Sequence, residues 1–384
     1  MSVQQLITPK NIVYGRGSLD ELGKTAARLG KQALIVSDPV MERLGLVERC
    51  ERLLQAEAIR CVKYTGIGTE PTDLYVREAL EICKQAQCDI IVAVGGGSCI
   101  DTAKAVGILA TNDGSLHDYM PGKRRFEHGS IPVVAVPTTA GTGSEATKVT
   151  VITDTSTEVK LMIADPLLMP AVALVDPLLT LSCPPAVTAA TGVDALCHAI
   201  EAYISRKSQP VTDMYALKAI DLISRNLTDA YANGQQVEAR DAVALGSLLA
   251  GMAFSNASVA LVHGMSRPIG ALFHVPHGLS NAMLLPAVLE YSKQECTEKL
   301  IRIGRVLDER LESPEDTVGW IKRLCRQLQI VNMKQWGITP DVLELRLDKM
   351  AADALASGSP ANNPRIPTHR EIVELYRTAY DYHF

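Results

Sequence analysis

The sequence predicts an α/β domain built on a mostly parallel sheet, residues 1–182, followed by an all-α domain, residues 183–384. Three observations carry this reading. Strand-like and helix-like segments alternate through the first half. Two apolar runs in that half end in glycine-rich turns, VAVGGGSCID and PTTAGTGSE. After SCPP (182–185) β-branched runs become sparse and long helical patterns take over.

The elements follow in order. QALIVSD (32–38) is a β-rich run, and a helical pattern continues to Leu54. IRCVKYTG (59–66) is a second strand, and TDLYVREALEICKQAQ (72–87) is an amphipathic helix. DIIVAVGGGS (89–98) and IPVVAVPTTAGTGSE (131–145) share one design, an apolar strand running into glycines. KVTVITD (148–154) and EVKLMIA (158–164) read as a hairpin, and AVALVDP (171–177) as the last strand. Helical patterns then cover 186–205, 210–231, 239–254, 280–291, 296–307, 314–329, 340–356 and 370–380.

Composition narrows the function classes. With 384 residues and 47% hydrophobic content, the chain can bury a large core. Net charge is −5 with the signs interspersed, so no basic stripe suits a nucleic acid. No apolar run is long enough to span a bilayer, and MSVQQLITPK lacks the features of a secretory signal. The nine cysteines are odd in number, scattered and without a C-x-x-C. Reduced, mostly buried thiols in a cytoplasmic protein are expected.

The glycine-rich turns suggest a ligand. Gly95, Gly96 and Gly97 let the backbone approach it closely, and a helix N-terminus behind them suits a phosphate. Ser98 and Asp101 have capping-box spacing. The second turn adds hydroxyls at Thr138, Thr139, Thr142 and Ser144. Two such turns on one parallel sheet predict a dinucleotide at the point where strand order reverses. The arrangement is Rossmann-like but not standard. Ile100 stands where the third glycine of G-x-G-x-x-G would be, and the acidic candidate, Asp38, comes before the turn. A carboxylate at Asp38 would accept the ribose 2′-OH and repel a 2′-phosphate, which favours NAD over NADP. Asp38 also suits a turn before Pro39.

A second constellation suggests a metal. In the apolar helical run TGVDALCHAI (191–200), Asp194 and His198 lie four apart, on one helix face. Of eight histidines, His263, His274 and His277 fall in LVHGMSRPIGALFHVPHGL (261–279), where Pro268 and Pro276 are expected to interrupt the helix. Asp194, His198, His263 and His277 make a nitrogen and oxygen set for a divalent transition metal, and spacing does not name which one. His274 is expected beside the metal rather than on it.

GGGSCIDTAKA, PTTAGTGSE, TGVDALCHAIEAY, LVHGMSRPIGALFHVPHG and NPRIPT together resemble the iron-dependent (group III) alcohol dehydrogenase family, in order and over essentially the whole chain. The resemblance implies a dinucleotide-binding domain, a helical domain of the dehydroquinate-synthase-like architecture and an active site between them. It implies Fe(II), with zinc in some members, bound by Asp194, His198, His263 and His277. It places NAD on Asp38, Gly95, Gly96, Gly97, Ser98, Asp101, Thr138, Thr139, Thr142 and Lys160, and Phe254 near the substrate. Many members carry a proton-relaying histidine where this chain has Arg267. Protons would then leave through ribose hydroxyls with His274 or water, or Arg267 would bind a polar or anionic substrate, or form a salt bridge at the cleft rim.

The reaction implied is hydride transfer between NAD(H) and a short primary alcohol or diol and its aldehyde. A small-molecule substrate is expected, with no nucleic-acid or membrane partner. A homodimer or higher oligomer is expected, with QLITPKNIVYG as the pairing segment. Three alternatives remain open: a related metal-dependent polyol dehydrogenase or lyase, a metal-free maleylacetate reductase, and a non-catalytic NAD-binding assembly subunit.

Overall fold

The structure, a computed structural model, describes residues 3–120, 122–157 and 159–384. The chain divides into two compact units. One is Leu6–Leu181, and the other is Ser182–Phe384 with Val3–Gln5.

The first unit runs β1 (Asn11–Tyr14), α1 (Leu22–Ala26), β2 (Gln32–Ser37), α2 (Pro39–Arg43), α3 (Leu46–Ala56), β3 (Arg60–Tyr64), α4 (Asp73–Gln85), β4 (Ile90–Gly95), α5 (Gly97–Leu109), β5 (Val133–Pro137), β6 (Val149–Asp154), β7 (Val159–Ala164) and β8 (Val172–Val175). Six strands form one all-parallel sheet in the order β1-β8-β5-β4-β2-β3. β4 and β5 are buried along their whole length, as a sheet covered on both faces requires. Alternation decides which face each residue serves. Leu34, Val36, Ile91 and Ala93 join the core with α4 and α5, whereas Ala33, Ile35, Ile90 and Val92 join the core with α1 and α3.

β6 and β7 form the expected antiparallel hairpin, separate from the large sheet. Glu158, the expected first residue of its second strand, lies outside the described residues. From β2 the chain moves to β3 at the edge, then returns to β4 on the other side of β2. Strand order reverses there, so a ligand site is expected at the carboxyl ends of β2 and β4.

The second unit is helical: α6 (Pro185–Ile204), α7 (Pro210–Ala232), α8 (Val237–Ala257), α9 (Leu261–Phe273), α10 (His277–Ser292), α11 (Thr297–Leu307), α12 (Pro314–Gln327), α13 (Met333–Trp336), α14 (Pro340–Ala356) and α15 (His369–Tyr380). Proline opens α6, α7, α12 and α14, where its missing N–H costs nothing and its φ suits a helix. α6, α7 and α8 pack together, and α10 lies against α6 and α9.

One expectation is corrected here. Pro268 does not interrupt the helix; α9 continues through it to Phe273. The break falls earlier, at Ser258, whose φ is +64°, and the axis bends by 104° between α8 and α9. Packing of the buried α9 face outweighs the one backbone hydrogen bond that proline removes. Among the described residues no single helix is long and apolar enough to cross a membrane.

Candidate active site

The helical unit gathers the residues of the second constellation. Asp194 and His198 lie one turn apart on α6, a helix buried on nearly every face. His263 is in the first turn of α9, and His277 opens α10. Asp194, His198 and His263 are 2%, 4% and 3% exposed. The four residues each offer one donor atom, and these atoms all lie within 4.8 Å of one another. Four donors about 2.1 Å from a shared cation stand about 3.4 Å apart in tetrahedral geometry. Asp194 Oδ1 lies 3.6 Å from His263 Nε2 and 3.9 Å from His198 Nδ1. One carboxylate and three imidazoles at such spacing fit a single transition-metal ion.

Local packing sets this geometry. A Cβ at Gly278 would meet the Ala190 carbonyl oxygen at 2.5 Å, so only glycine lets the start of α10 approach α6 this closely. Phe254 of α8 stacks on His198, with centroids 4.2 Å apart and planes 13° from parallel. His198 is 4.4 Å from His263, and His263 is 5.3 Å from His277.

Asn281, one turn past His277, gives an independent sign of what the cage accepts. Its Nδ2 donates to Asp194 Oδ1 at 2.6 Å and lies 3.1 Å from His263 Nε2 and 3.2 Å from His277 Nε2. A partial positive charge therefore sits against the Asp194 carboxylate and beside two imidazole nitrogens. Its Oδ1 is buried and accepts no hydrogen bond among the described residues. Burial pushes the Asp194 carboxyl up, but His198, His277 and His263 outweigh it and hold the group well below the usual range.

Sequence reasoning did not single out Asn281 or Glu201. Glu201 is fully buried on α6 and accepts hydrogen bonds from the backbone of Ala260 and Val262. Its Oε2 lies 2.6 Å from His263 Nδ1. A signal was available, because Glu201 follows His198 by three residues, directly after the same apolar run. Cys197, Glu201 and His263 also lie close enough to share an ion. Glu201 already takes two backbone N–H groups and lies against the His263 ring, so it serves as a support rather than a second ion site.

Arg267 sits one turn beyond His263, largely enclosed; burial lowers it to about 10, while the charge of Glu201 opposes the shift. His274 is exposed and ends α9 in the left-handed conformation. Among the described residues it is not part of the ring contacts that join Phe254, His198, His263 and His277.

The glycine-rich turns lie in the α/β unit. The strand register puts Ser37 beside Val94 and Gly95 beside Pro137, so Asp38, the glycine turn and Thr138 align at the carboxyl ends of β2, β4 and β5. The Thr138 backbone N–H donates to the Gly95 carbonyl at 3.0 Å. A Cβ at Gly97 would meet Thr142 Cγ2 at 2.7 Å, and one at Gly96 would lie 3.5 Å from Thr139 Oγ1. The two turns thus press together, and the first turn of α5, which includes Ser98, has no side-chain cap. Its amides are suited to a phosphate.

One expectation changes here. Ser98 and Asp101 form no capping box. The cap position is Gly96, because the helix begins as soon as the chain leaves β4. Asp101 turns instead to Ser144 Oγ at 2.5 Å and the Val151 N–H at 2.9 Å. Asp38 takes the turn role its position suggested: Oδ1 caps α2 through Val40 and Met41, while Oδ2 accepts from the Cys99 thiol at 3.6 Å, at the start of α5. Lys160, on β7, is ion-paired with Glu70.

Beneath these turns lies a buried polar network that sequence reasoning missed. Lys104 is fully buried on α5, and its Nζ donates to Ser144 Oγ, Thr147 Oγ1 and the Val149 carbonyl at 2.8–2.9 Å. Asp101 Oδ1 is 3.8 Å away. Burial lowers Lys104 to about 8, with Asp101 and Glu145 opposing.

Glu145 is 2% exposed, and burial raises its carboxyl to about 7. Because the folded value lies above the unfolded one, the folded state holds the extra proton between about pH 4.5 and 7. Stability from this group is therefore full at low pH and lost as pH rises through 7. Glu145→Gln removes that loss. Its gain over the parent protein is expected to grow by roughly 3 kcal/mol from pH 4.5 to pH 8 in denaturant unfolding. Parallel pH profiles for the two proteins would contradict this.

Residues 9–177 match the family model "Iron-containing alcohol dehydrogenase". Residues 188–380 match "Fe-containing alcohol dehydrogenase family, C-terminal". The chain is 39% identical over 384 residues to 1,3-propanediol dehydrogenase of Klebsiella pneumoniae, covering 97% of this chain and 98% of that protein. A crystal structure of a 1,3-propanediol oxidoreductase superimposes with a TM-score of 0.95 at 39% identity, covering 99% of this chain and 100% of that one. Sulfoacetaldehyde reductase from Bifidobacterium kashiwanohense, solved in complex with NAD+, superimposes with a TM-score of 0.89 at 27% identity over the whole of both chains. With both units matched and the donor cluster present, this chain belongs to the iron-containing alcohol dehydrogenase family and is an oxidoreductase.

Proposed function

We propose that this protein interconverts a short primary alcohol or diol and its aldehyde with NAD(H), using a divalent metal, iron first, held by Asp194, His198, His263 and His277. The convergence of those four donor atoms carries the reading. The similarity to propanediol-oxidising relatives supports the substrate class.

When bound, the metal polarises the alcohol or aldehyde oxygen and the nicotinamide accepts or delivers the hydride. The protein's residues do the rest. Asp194 would supply the single anionic donor beside three neutral imidazoles, which would leave a divalent ion held there net positive. Phe254 holds the His198 ring in place. The turns at Gly95–Gly97 and Thr138–Thr142, with the N-terminus of α5, hold the diphosphate. Asp38, through the oxygen that does not cap α2, accepts the ribose hydroxyl and disfavours a 2′-phosphate. Arg267 contributes fixed positive charge beside His263 and selects for polar groups on the substrate.

The test is activity of chelator-stripped protein before and after anaerobic refilling with Fe(II) or Zn(II). The panel covers short alcohols, diols, hydroxy acids and their aldehydes. Recovery with metal on a short alcohol or diol is the expected outcome. Equal activity in stripped protein would overturn the metal reading in favour of a metal-free reductase. The same preparation gives the mass in solution. A cytoplasmic dimer is the proposed form, supported by nine free cysteines and by β1 at the open edge of the sheet. A monomeric mass by light scattering would overturn it.

A further inference from the structure

We propose that Glu201 is a positioning residue that fixes His263 in the tautomer able to bind metal. This rests on the reading of Asp194, His198, His263 and His277 as the metal site. Glu201 lies seven residues beyond Asp194 and three beyond His198 on α6. The three therefore share one face of that helix. Glu201 is 0% exposed, and a buried carboxylate is costly unless donors surround it.

Three donors do. The Val262 N–H donates to Oε1 at 2.6 Å and the Ala260 N–H to Oε2 at 3.0 Å. His263 Nδ1 lies 2.6 Å from Oε2. The two backbone groups can only donate, so the carboxylate is held with both oxygens accepting. Nδ1 must then carry its proton. The opposite tautomer would set a nitrogen lone pair against a carboxylate at hydrogen-bond distance.

With the proton on Nδ1, Nε2 presents its lone pair to the cage. Nε2 is the nitrogen that lies 3.6 Å from Asp194 Oδ1 and 3.1 Å from Asn281 Nδ2. The same carboxylate decides where His263 stands. Ala260, at the N-cap of α9, has no side-chain oxygen and caps none of the helix's amides. Glu201 reaches across from α6 to take the first-turn amides instead. One side chain thus anchors the helix that carries His263 and orients its ring. Such outer partners also raise the basicity of the ligand imidazole.

The test uses full-length protein and reads metal binding, not turnover. Parent, Glu201→Gln and Glu201→Ala proteins are stripped and titrated with Co(II) against a competing chelator, with the visible bands reporting the ligand field. Glutamine keeps the size and one acceptor but removes the charge and turns an amide N–H2 toward a donor. Co(II) affinity is expected to fall roughly 10–100-fold in Glu201→Gln, with altered bands. In ¹⁵N-histidine-labelled, metal-free protein, His263 is expected as the Nδ1–H form in the parent and as a mixture in Glu201→Ala.

Parent-like affinity, bands and tautomer in both variants would overturn the proposal. So would a lower melting temperature with unchanged Co(II) affinity, which would reduce Glu201 to a helix cap. If Glu201→Ala does not fold, Glu201→Gln carries the test. A parent protein that binds no Co(II) would overturn the metal site and this proposal together. A parent that binds it equally with both variants overturns this proposal alone.

Discussion

Asp194→Asn is expected to lose more than about 100-fold in metal affinity, and turnover should fall with it. Outer partners of a metal ligand commonly command 10–100-fold, and Asp194 is read as a direct ligand and the only anion among the four. Asparagine keeps the shape and an oxygen. It can still accept from Asn281 Nδ2, which now bonds Asp194 Oδ1 at 2.6 Å. The fold should therefore survive, and removing a buried charge offsets part of any lost attraction to the histidines. The check is Co(II) titration beside a thermal melt. Parent-like affinity in a folded variant would remove Asp194 from the ligand set. Unfolding of the variant would show that the carboxylate serves the metal-free structure as well.

Lys104→Met is expected to destabilise the α/β unit by about 3–5 kcal/mol, the usual effect of removing one member of a buried ion pair. Methionine has similar volume, so the loss comes from the charge rather than from a cavity. Ser144, Thr147 and the Val149 carbonyl lose their shared donor. Asp101 and Glu145 lose the cation that opposes the burial-driven rise of their carboxyls. Both groups already sit above their ordinary values, so each contributes stability at low pH that is lost as pH rises. The penalty should accordingly be larger at pH 8 than at pH 5. NAD affinity should fall too, because Lys104 ties the helix behind one turn to the loop of the other. Denaturant unfolding at the two pH values, with NAD binding, checks it. A loss under 1 kcal/mol, equal at both, would contradict the argument. Asp101→Asn in the Lys104→Met background should recover part of the loss.

Much of the architecture is written in local pattern. The run at 340–356 was expected as helix and is α14, with Pro340 at its start. The alternation at 33–36 sends side chains to opposite faces of the sheet, as a period of two requires. The ligand candidates were legible because Asp194 and His198 stand four apart in an apolar run, where a carboxylate needs a partner. Misreadings arose where a local rule met a tertiary contact. Pro268 breaks helices in isolation, yet the buried face of α9 carries the helix past it. Ser98 and Asp101 have the spacing of a cap, but the helix already starts at Gly97, with Gly96 in the cap position.

By itself the sequence determined the fold class, the two glycine-rich turns, the four donor residues and the family, because each rests on spacing within one segment or on order along the chain. Only the tertiary structure decided what stands behind those donors. Glu201 and His263 are 62 residues apart, Asn281 and Asp194 87, and Lys104 and Ser144 40. A buried polar group takes its partner from whichever element packs against it, and no spacing within one helix or strand reports that choice.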